Sequence, residues 1–356
     1  MGPPPGAPFC QEVPGKFPPR QGILWVCDRG KEGDSVEWKK RRRILWGAWA
    51  LALGLAVSAW FVSLPDVPAL PAGQTAAALP PKGYLALTFD DGPWPKTTEA
   101  LLDGLAPGCN RGYAVADTDP DPLFHPVKSG LYAFDPAQVA GEVLRMADGD
   151  LNQLRQEQNE ALIQLEALSA PVSAEFCARF NLPPNCGLAD IPNFVSVAAG
   201  GNGVKLAGGL HAAASLAEIF LLEYAQWPES NAGWGQVDAQ TLRQLLPLRV
   251  RVFDVINRAP HVAKANGASL LNAMTAALLG KHPDQRCNAA ALTVFVGHDT
   301  NITQVASLLG LTWQAPGYPD DMVPPGGVLL LELWERNGQR EVSARAVAPD
   351  GDPLRR

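Results

Sequence analysis

The stretch ALTVFVGHDTNITQVASLL, residues 291–309, constrains this chain more than any other part of it. Residues 291–297 form a short apolar run rich in β-favouring side chains, and the run stops at His298-Asp299. Such a run reads as a buried strand. Two polar side chains then emerge at its C-terminal edge, which is where open α/β sheets place their ligands. Residues 301–309 read as a helix with Thr300 or Asn301 as its cap. A second buried strand, VLLLELW at 328–334, is entered through the turn Pro324-Pro325-Gly326-Gly327. Helical periodicity marks residues 136–168, 205–226, 238–256 and 269–279. The pattern predicts an α/β fold with a helical layer inserted into the sheet. Taken alone, a strand-end His-Asp is most often an ordinary satisfied pair.

Charge and hydropathy organise the rest. Residues 1–43 hold nine Lys/Arg and five Asp/Glu, leaving 20 basic and 31 acidic residues (of 29 and 36) in the remainder. The main body is therefore acidic, which disfavours nucleic acid as a partner. Lys39 to Arg43 form a basic cluster followed by ILWGAWALALGLAVSAWFVS, an uncharged run beginning at Ile44 and ending at Ser63. Twenty helical residues reach about 30 Å, the hydrocarbon thickness of a bilayer. The expectation is a transmembrane helix in the bacterial inner membrane, with the N-terminal side cytoplasmic and the main domain exported to the periplasm. A signal peptide cleaved near the small residues at 71–73 and 75–78, giving a secreted protein, is the alternative. Residues 1–38 read as disordered or as the product of a start site assigned too early. Residues 65–82 read as a Pro/Ala linker.

GYLALTFDDGP, residues 83–93, alternates like a short buried strand and ends in two carboxylates and a tight turn. Asp-Asp-Gly-Pro alone is commonly just a turn. The whole string resembles the opening motif of the NodB-type polysaccharide deacetylases. That resemblance covers about residues 80–105 and implies a catalytic base at Asp90 and a metal ligand at Asp91. The same family completes its metal site with a His-x-x-x-His pair. The five histidines here, 125, 211, 261, 282 and 298, include no two spaced four apart. Catalytic zinc usually needs three protein ligands, so a working deacetylase is not expected.

TEALLDGLAPGC, ADTDPDPLFHPVKSG, GGLHAAASLAEIFLLEYAQ, NAGWGQV, VFVGHDTNI and PGYPDDMVPPGGVLLLELW follow one another from residue 97 to about 348. In this order they resemble the bacterial periplasmic histidine acid phosphatases, the branch of phytases and glucose-1-phosphatases. The resemblance implies a partial histidine-phosphatase-type sheet with an inserted helical layer, and hydrolysis of a phosphomonoester small molecule with no metal or other cofactor. It implies that His298 contacts the phosphoryl group, that Asp299 protonates the leaving oxygen, and that Glu218 and Thr300 face the substrate. The chemistry is consistent: an alkoxide is a poor leaving group, so a nearby carboxylic acid lowers the barrier. A phosphate beside the helix after His298 would also meet N–H groups and the positive end of the helix dipole. Glu218 has an alternative reading as a solvated helix-face residue.

The family's nucleophile lies in an RHGxRxP motif, and no such string occurs in this sequence. A further phosphate-binding arginine belongs on a loop that here reads Gly92-Pro93-Trp94-Pro95-Lys96. Weak or absent turnover is expected, with the protein alternatively a phosphate-ester-binding relic of a fusion between the two families. At that join, the strand ending at Phe89 is expected to take a place in the phosphatase sheet. Export permits disulfides. The resemblance implies a Cys177–Cys186 disulfide, leaves Cys109 without its family partner, and offers no counterpart for Cys287. Cys10 and Cys27 lie on the reducing side of the expected membrane span. The chain ends at Arg356, before the family's C-terminal disulfide-bearing segment.

Overall fold

The computed structural model describes residues 22–28, 58–61, 83–89, 111–115, 118–169, 171–227 and 230–350. Its strands are β1 (Gly22–Asp28), β2 (Ser58–Phe61), β3 (Gly83–Phe89), β4 (Arg111–Val115), β5 (Phe194–Val197), β6 (Val204–Ala207), β7 (Ala290–Gly297), β8 (Val328–Arg336) and β9 (Gln339–Asp350). β5 and β6 form a separate antiparallel ribbon, and the others make one sheet in the order β2-β9-β8-β3-β7-β1-β4. β3 and β7 run parallel, with Phe89 opposite Gly297. The other described pairings of this sheet are antiparallel.

The apolar run of β7 is explained by burial on both faces. Phe295 lies in a cluster with Phe124, Leu270, Met274 and Ile302, while Val294 and Val296 pack with Val328 and Leu330. Successive strand side chains point to opposite faces, so a strand covered on both sides reads as continuous hydrophobicity. Each such side chain contributes about 1.5–3 kcal/mol by leaving water.

The helices of five or more residues are α1 (Pro136–Met146), α2 (Leu151–Glu157), α3 (Asn159–Leu168), α4 (Ala174–Ala178), α5 (Gly209–Gln226), α6 (Ala239–Asn257), α7 (Pro260–Leu278), α8 (Gln285–Ala289) and α9 (Asp299–Leu309). The helical stretch expected over 136–168 is three helices. Asp148 and Gly149 take left-handed backbone (φ 55° and 85°) and end α1, and Asp150 caps α2 by accepting the Asn152 N–H at 2.8 Å. The helix expected from residue 205 begins instead at Gly209, because Val204–Ala207 is strand β6. A Cβ at Gly209 would lie 1.9 Å from the Leu188 carbonyl oxygen, so this close approach requires glycine. The helix expected at 269–279 begins earlier, at Pro260, a residue suited to a first helical turn. Leu210, Ala213 and Phe220 of α5 interlock with Leu242, Leu245 and Leu246 of α6, over Leu162 and Leu165 of α3. This is the helical layer, and it sets α5 alongside α6.

Three expectations for the N-terminal part need correction or fall outside the structure. Ser58–Phe61, inside the expected membrane helix at 44–63, is a strand paired with β9 from Phe61 opposite Val347 to Ser58 opposite Asp350. The physical reason is competition: the edge of β9 offers these residues ladder hydrogen bonds, and Trp and Phe favour strand conformation. The rest of that span, Asp90, Asp91 and Cys109 lie outside the described residues. Among the described residues no helix is long and apolar enough to cross a membrane. Gly22–Asp28, within the segment expected to be irregular, is strand β1 between β7 and β4.

Cys177 and Cys186 form a disulfide with Cα atoms 5.9 Å apart, closing a separation of nine residues. Cys287 is a buried free thiol, and burial pushes it up to about 11. Loop-closure entropy assigns the disulfide about 2–3 kcal/mol. Replacing Cys177 and Cys186 together by Ser is expected to lower unfolding free energy by that amount in a urea titration.

Candidate active site

The site is built where β7 hands the chain to α9. His298 is the N-cap residue, and Asn301, the third residue of α9, reaches back: its Oδ1 accepts the His298 N–H at 2.9 Å. The same side chain donates through Nδ2 to the Phe124 carbonyl at 2.9 Å, and Asn301 is 1% exposed. Both amide functions of Asn301 are thus used to hold the joint between strand, helix and the 118–134 loop. The expected cap at Thr300 or Asn301 is therefore corrected: the helix starts at Asp299, and Asn301 caps it from inside. At Gly297 a Cβ would sit 2.8 Å from Asn301 Oδ1 and 3.0 Å from the Phe124 ring, so glycine lets these groups close on the strand end.

Asp299 follows at the first turn of α9, with its side chain 13% exposed. Its Oδ1 accepts the Thr300 N–H at 2.7 Å. Its Oδ2 contacts Arg249 Nη2 from α6. The same Nη2 lies 3.1 Å from Glu218 Oε1 of α5, whose side chain is 41% exposed. The Arg249 guanidinium also lies over the Phe253 ring at 3.9 Å. Burial raises the Asp299 carboxyl above its ordinary range; Arg249 opposes the rise, the Glu218 carboxylate adds to it, and the Thr300 N–H and His298 oppose it. A carboxyl whose proton is held more firmly by burial suits proton donation.

The imidazole of His298 faces that of His125, with centroids 5.6 Å apart and planes tilted by 60°. Burial, then the charges of Lys128 and His298, push His125 down to about 4, against a smaller opposing pull from Asp119. His125 is therefore neutral beside His298 in mild acid. A shallow cleft lined by Arg249, Phe253, Asp254, Asp299 and Asp321 opens at this edge. Burial raises Asp254 to about 6, with Arg258 opposing and Asp321 adding. Among the described residues no group of His, Cys, Asp and Glu is arranged to hold a metal.

The structure brings four of the residues expected from sequence, His298, Asp299, Thr300 and Glu218, to one sheet edge. Asp90 and Asp91 lie outside the described residues. Arg249 and His125 were not singled out from sequence. A signal for Arg249 existed: Leu242, Leu245, Leu246 and Val252 are buried on α6, and position 249 falls on the same stripe. A charged residue on an apolar stripe of an acidic protein marks a pairing partner. No sequence signal distinguished His125.

The Asp254 carboxyl titrates at about 6 when folded against 3.8 ordinarily. The folded form thus keeps a proton that the unfolded chain has released, and its contribution to stability is lost as pH rises from about 4 to about 6. His125 acts in the opposite sense, so only a comparison isolates Asp254. Relative to the parent, Asp254→Asn is expected to gain about 2 kcal/mol between pH 4 and pH 6, read by urea unfolding at both values.

Comparison with known proteins agrees with this architecture. The chain matches the Histidine phosphatase superfamily (branch 2) over residues 96–347. It is 36% identical over 268 residues to Phytase AppA of Escherichia coli (strain K12), covering 72% of this chain and 61% of that protein. Glucose-1-phosphatase of Salmonella typhimurium (strain LT2) is 24% identical over 252 residues, 69% of this chain and 57% of that one. The chain thus spans 57–61% of the length of these curated relatives. Among solved structures, the apo form of Hafnia alvei phytase superposes with a TM-score of 0.61 at 33% identity, covering 77% of this chain and 68% of that one. Citrobacter braakii phytase gives 0.62 at 25% identity, covering 92% and 85%.

Proposed function

The chain belongs to branch 2 of the histidine phosphatase superfamily, and on that premise we propose that its site binds phosphomonoesters, of the phytate or sugar-phosphate class, with at most weak hydrolysis. The observation that carries this reading is Asp299: a carboxyl raised by burial at the first turn of α9, beside His298 at the end of β7. In this reading the protonated Asp299 gives its proton to the bridging oxygen as the O–P bond breaks, so the alcohol leaves neutral. His298 stabilises the phosphoryl oxygens, which carry the charge of the transition state. Glu218 orients Arg249, and the Thr300 N–H fixes Asp299 Oδ1 so that Oδ2 is the working oxygen.

The sequence contains no RHGxRxP string, so phosphorus has no histidine of that motif to attack it, and transfer falls to water. Loss of a covalent nucleophile removes orders of magnitude in rate, because the remaining groups act as a unit with it. Export of the domain belongs to the same proposal and is supported by the Cys177–Cys186 disulfide, a bond that persists in oxidising compartments. The anchor expected over residues 44–63 is not part of that proposal, since Ser58–Phe61 is strand β2 of the sheet. The deacetylase alternative is not favoured, since the family match covers residues 96–347 and the histidine spacing of its metal site is missing.

Purified chain assayed with p-nitrophenyl phosphate between pH 4 and 6 is expected to turn over slowly, and Asp299→Asn to lower that rate at least about 100-fold. Turnover that survives Asp299→Asn, or the fast phosphoenzyme turnover of a complete acid phosphatase, contradicts the proposal.

A further inference from the structure

The group best placed to receive the ester's charge is already occupied. Arg249 spends Nη2 on both Asp299 Oδ2 and Glu218 Oε1. A guanidinium has five N–H donors in a rigid fork. Through Nε and Nη1, Arg249 makes no hydrogen bond to another described residue, while its face is fixed over Phe253 at 3.9 Å. It also lines the cleft that contains Asp299. With both carboxylates ionised, one positive and two negative charges share this corner, a net charge of about −1. A phosphomonoester adds at least one more negative charge, which a largely buried site opposes strongly.

We propose that Arg249 exchanges partners, releasing Asp299 Oδ2 to grip the phosphoryl oxygens, and that Oδ2 takes up one proton from solvent as it is released, so that anion binding itself arms the proton donor. The balance is simple: one Arg–carboxylate ion pair breaks, one Arg–phosphoryl pair forms, and one O–H bond forms on Asp299. Asp299 takes the proton in preference to Glu218 because it is the more buried of the two, 13% against 41% exposed, and burial penalises the charged form. Glu218 keeps its pairing with the guanidinium and holds it in place. Oδ1 stays with the Thr300 N–H, so the proton lands on Oδ2, the oxygen that Arg249 vacates.

The inference rests on the phosphoester reading for its ligand and adds to it a residue and a coupling. Other titratable groups face the same corner: Asp254 and Asp321 line the cleft, Arg258 pairs with both, and His298 and His125 stand at the strand end with Lys128 nearby. Asp254 is also a raised carboxyl, at about 6, so the test must separate it from Asp299.

The experiment is calorimetric titration of the full chain with inorganic phosphate near pH 5, where phosphate is a monoanion, in two buffers of different ionisation enthalpy. The buffer dependence of the heat counts protons. Wild type and Asp254→Asn are expected to take up a proton on binding. Asp299→Asn is expected to bind at least as tightly with no uptake, and Arg249→Gln to bind about 10-fold or more weakly. Arg249→Lys, which keeps the charge and packs in similar volume, is expected to bind between these with uptake retained; it stands in if Arg249→Gln does not fold. Wild-type binding without proton uptake, uptake that persists in Asp299→Asn, affinity unchanged by Arg249→Gln, or no phosphate binding overturns the exchange. Because affinity and proton count are read without turnover, an absence of hydrolysis alongside linked binding removes the catalytic reading and leaves the exchange standing. The reverse result removes only the exchange.

Discussion

An arginine shared between two carboxylates ties the helical layer to the edge of the sheet. Arg249 comes from α6, Glu218 from α5 and Asp299 from the start of α9. α5 and α6 are brought together by their own leucines and phenylalanine, and α9 is fixed on the sheet by Ile302 and Val305. The ion cluster therefore forms where two separately cored layers meet. Asp299 is the more buried of its two carboxylates, and burial raises it. Breaking a pair of this kind by removing one partner is costly because the other charge stays buried.

The geometry of the strand end depends on uncharged contacts. Asn301 spends its amide on the His298 N–H and the Phe124 carbonyl, and Gly297 leaves room for both. The consequence is that His298 and Asp299 leave the sheet on a fixed backbone, before any ligand arrives. Preorganised groups of this sort avoid reorganisation when charge develops on a substrate.

What was legible in the sequence follows from where the information is local. β7 and β8 announce themselves because strands buried on both faces are continuous apolar runs, and the His-Asp pair stands out because polarity resumes abruptly at the strand end. β3, whose residues resemble another family's opening motif, pairs with β7 and β8 all the same; backbone pairing asks only for length and alternation. β1 was not legible, because Gly22–Asp28 sits among prolines and glycines and earns its place through ladder bonds to β4 and β7. Ser58–Phe61 was read as part of an apolar helix because hydropathy does not record the available edge of β9. β9 itself, with its charged and alternating residues, was not singled out. Arg249 was hidden because its meaning depends on α5 and α9, neither adjacent in sequence.

The central proposal is that a phosphoryl group is held at the C-terminal end of β7 by Arg249 of α6 and His298, with Asp299 of α9 as its proton donor. A crystal structure of the chain soaked with orthovanadate, a mimic of phosphoryl transfer, tests it most directly. The account predicts vanadate within hydrogen-bond distance of the His298 imidazole and the Arg249 guanidinium, with Asp299 Oδ2 turned from Arg249 toward a vanadate oxygen. Vanadate bound elsewhere, with the Arg249–Asp299 pair intact, would contradict it.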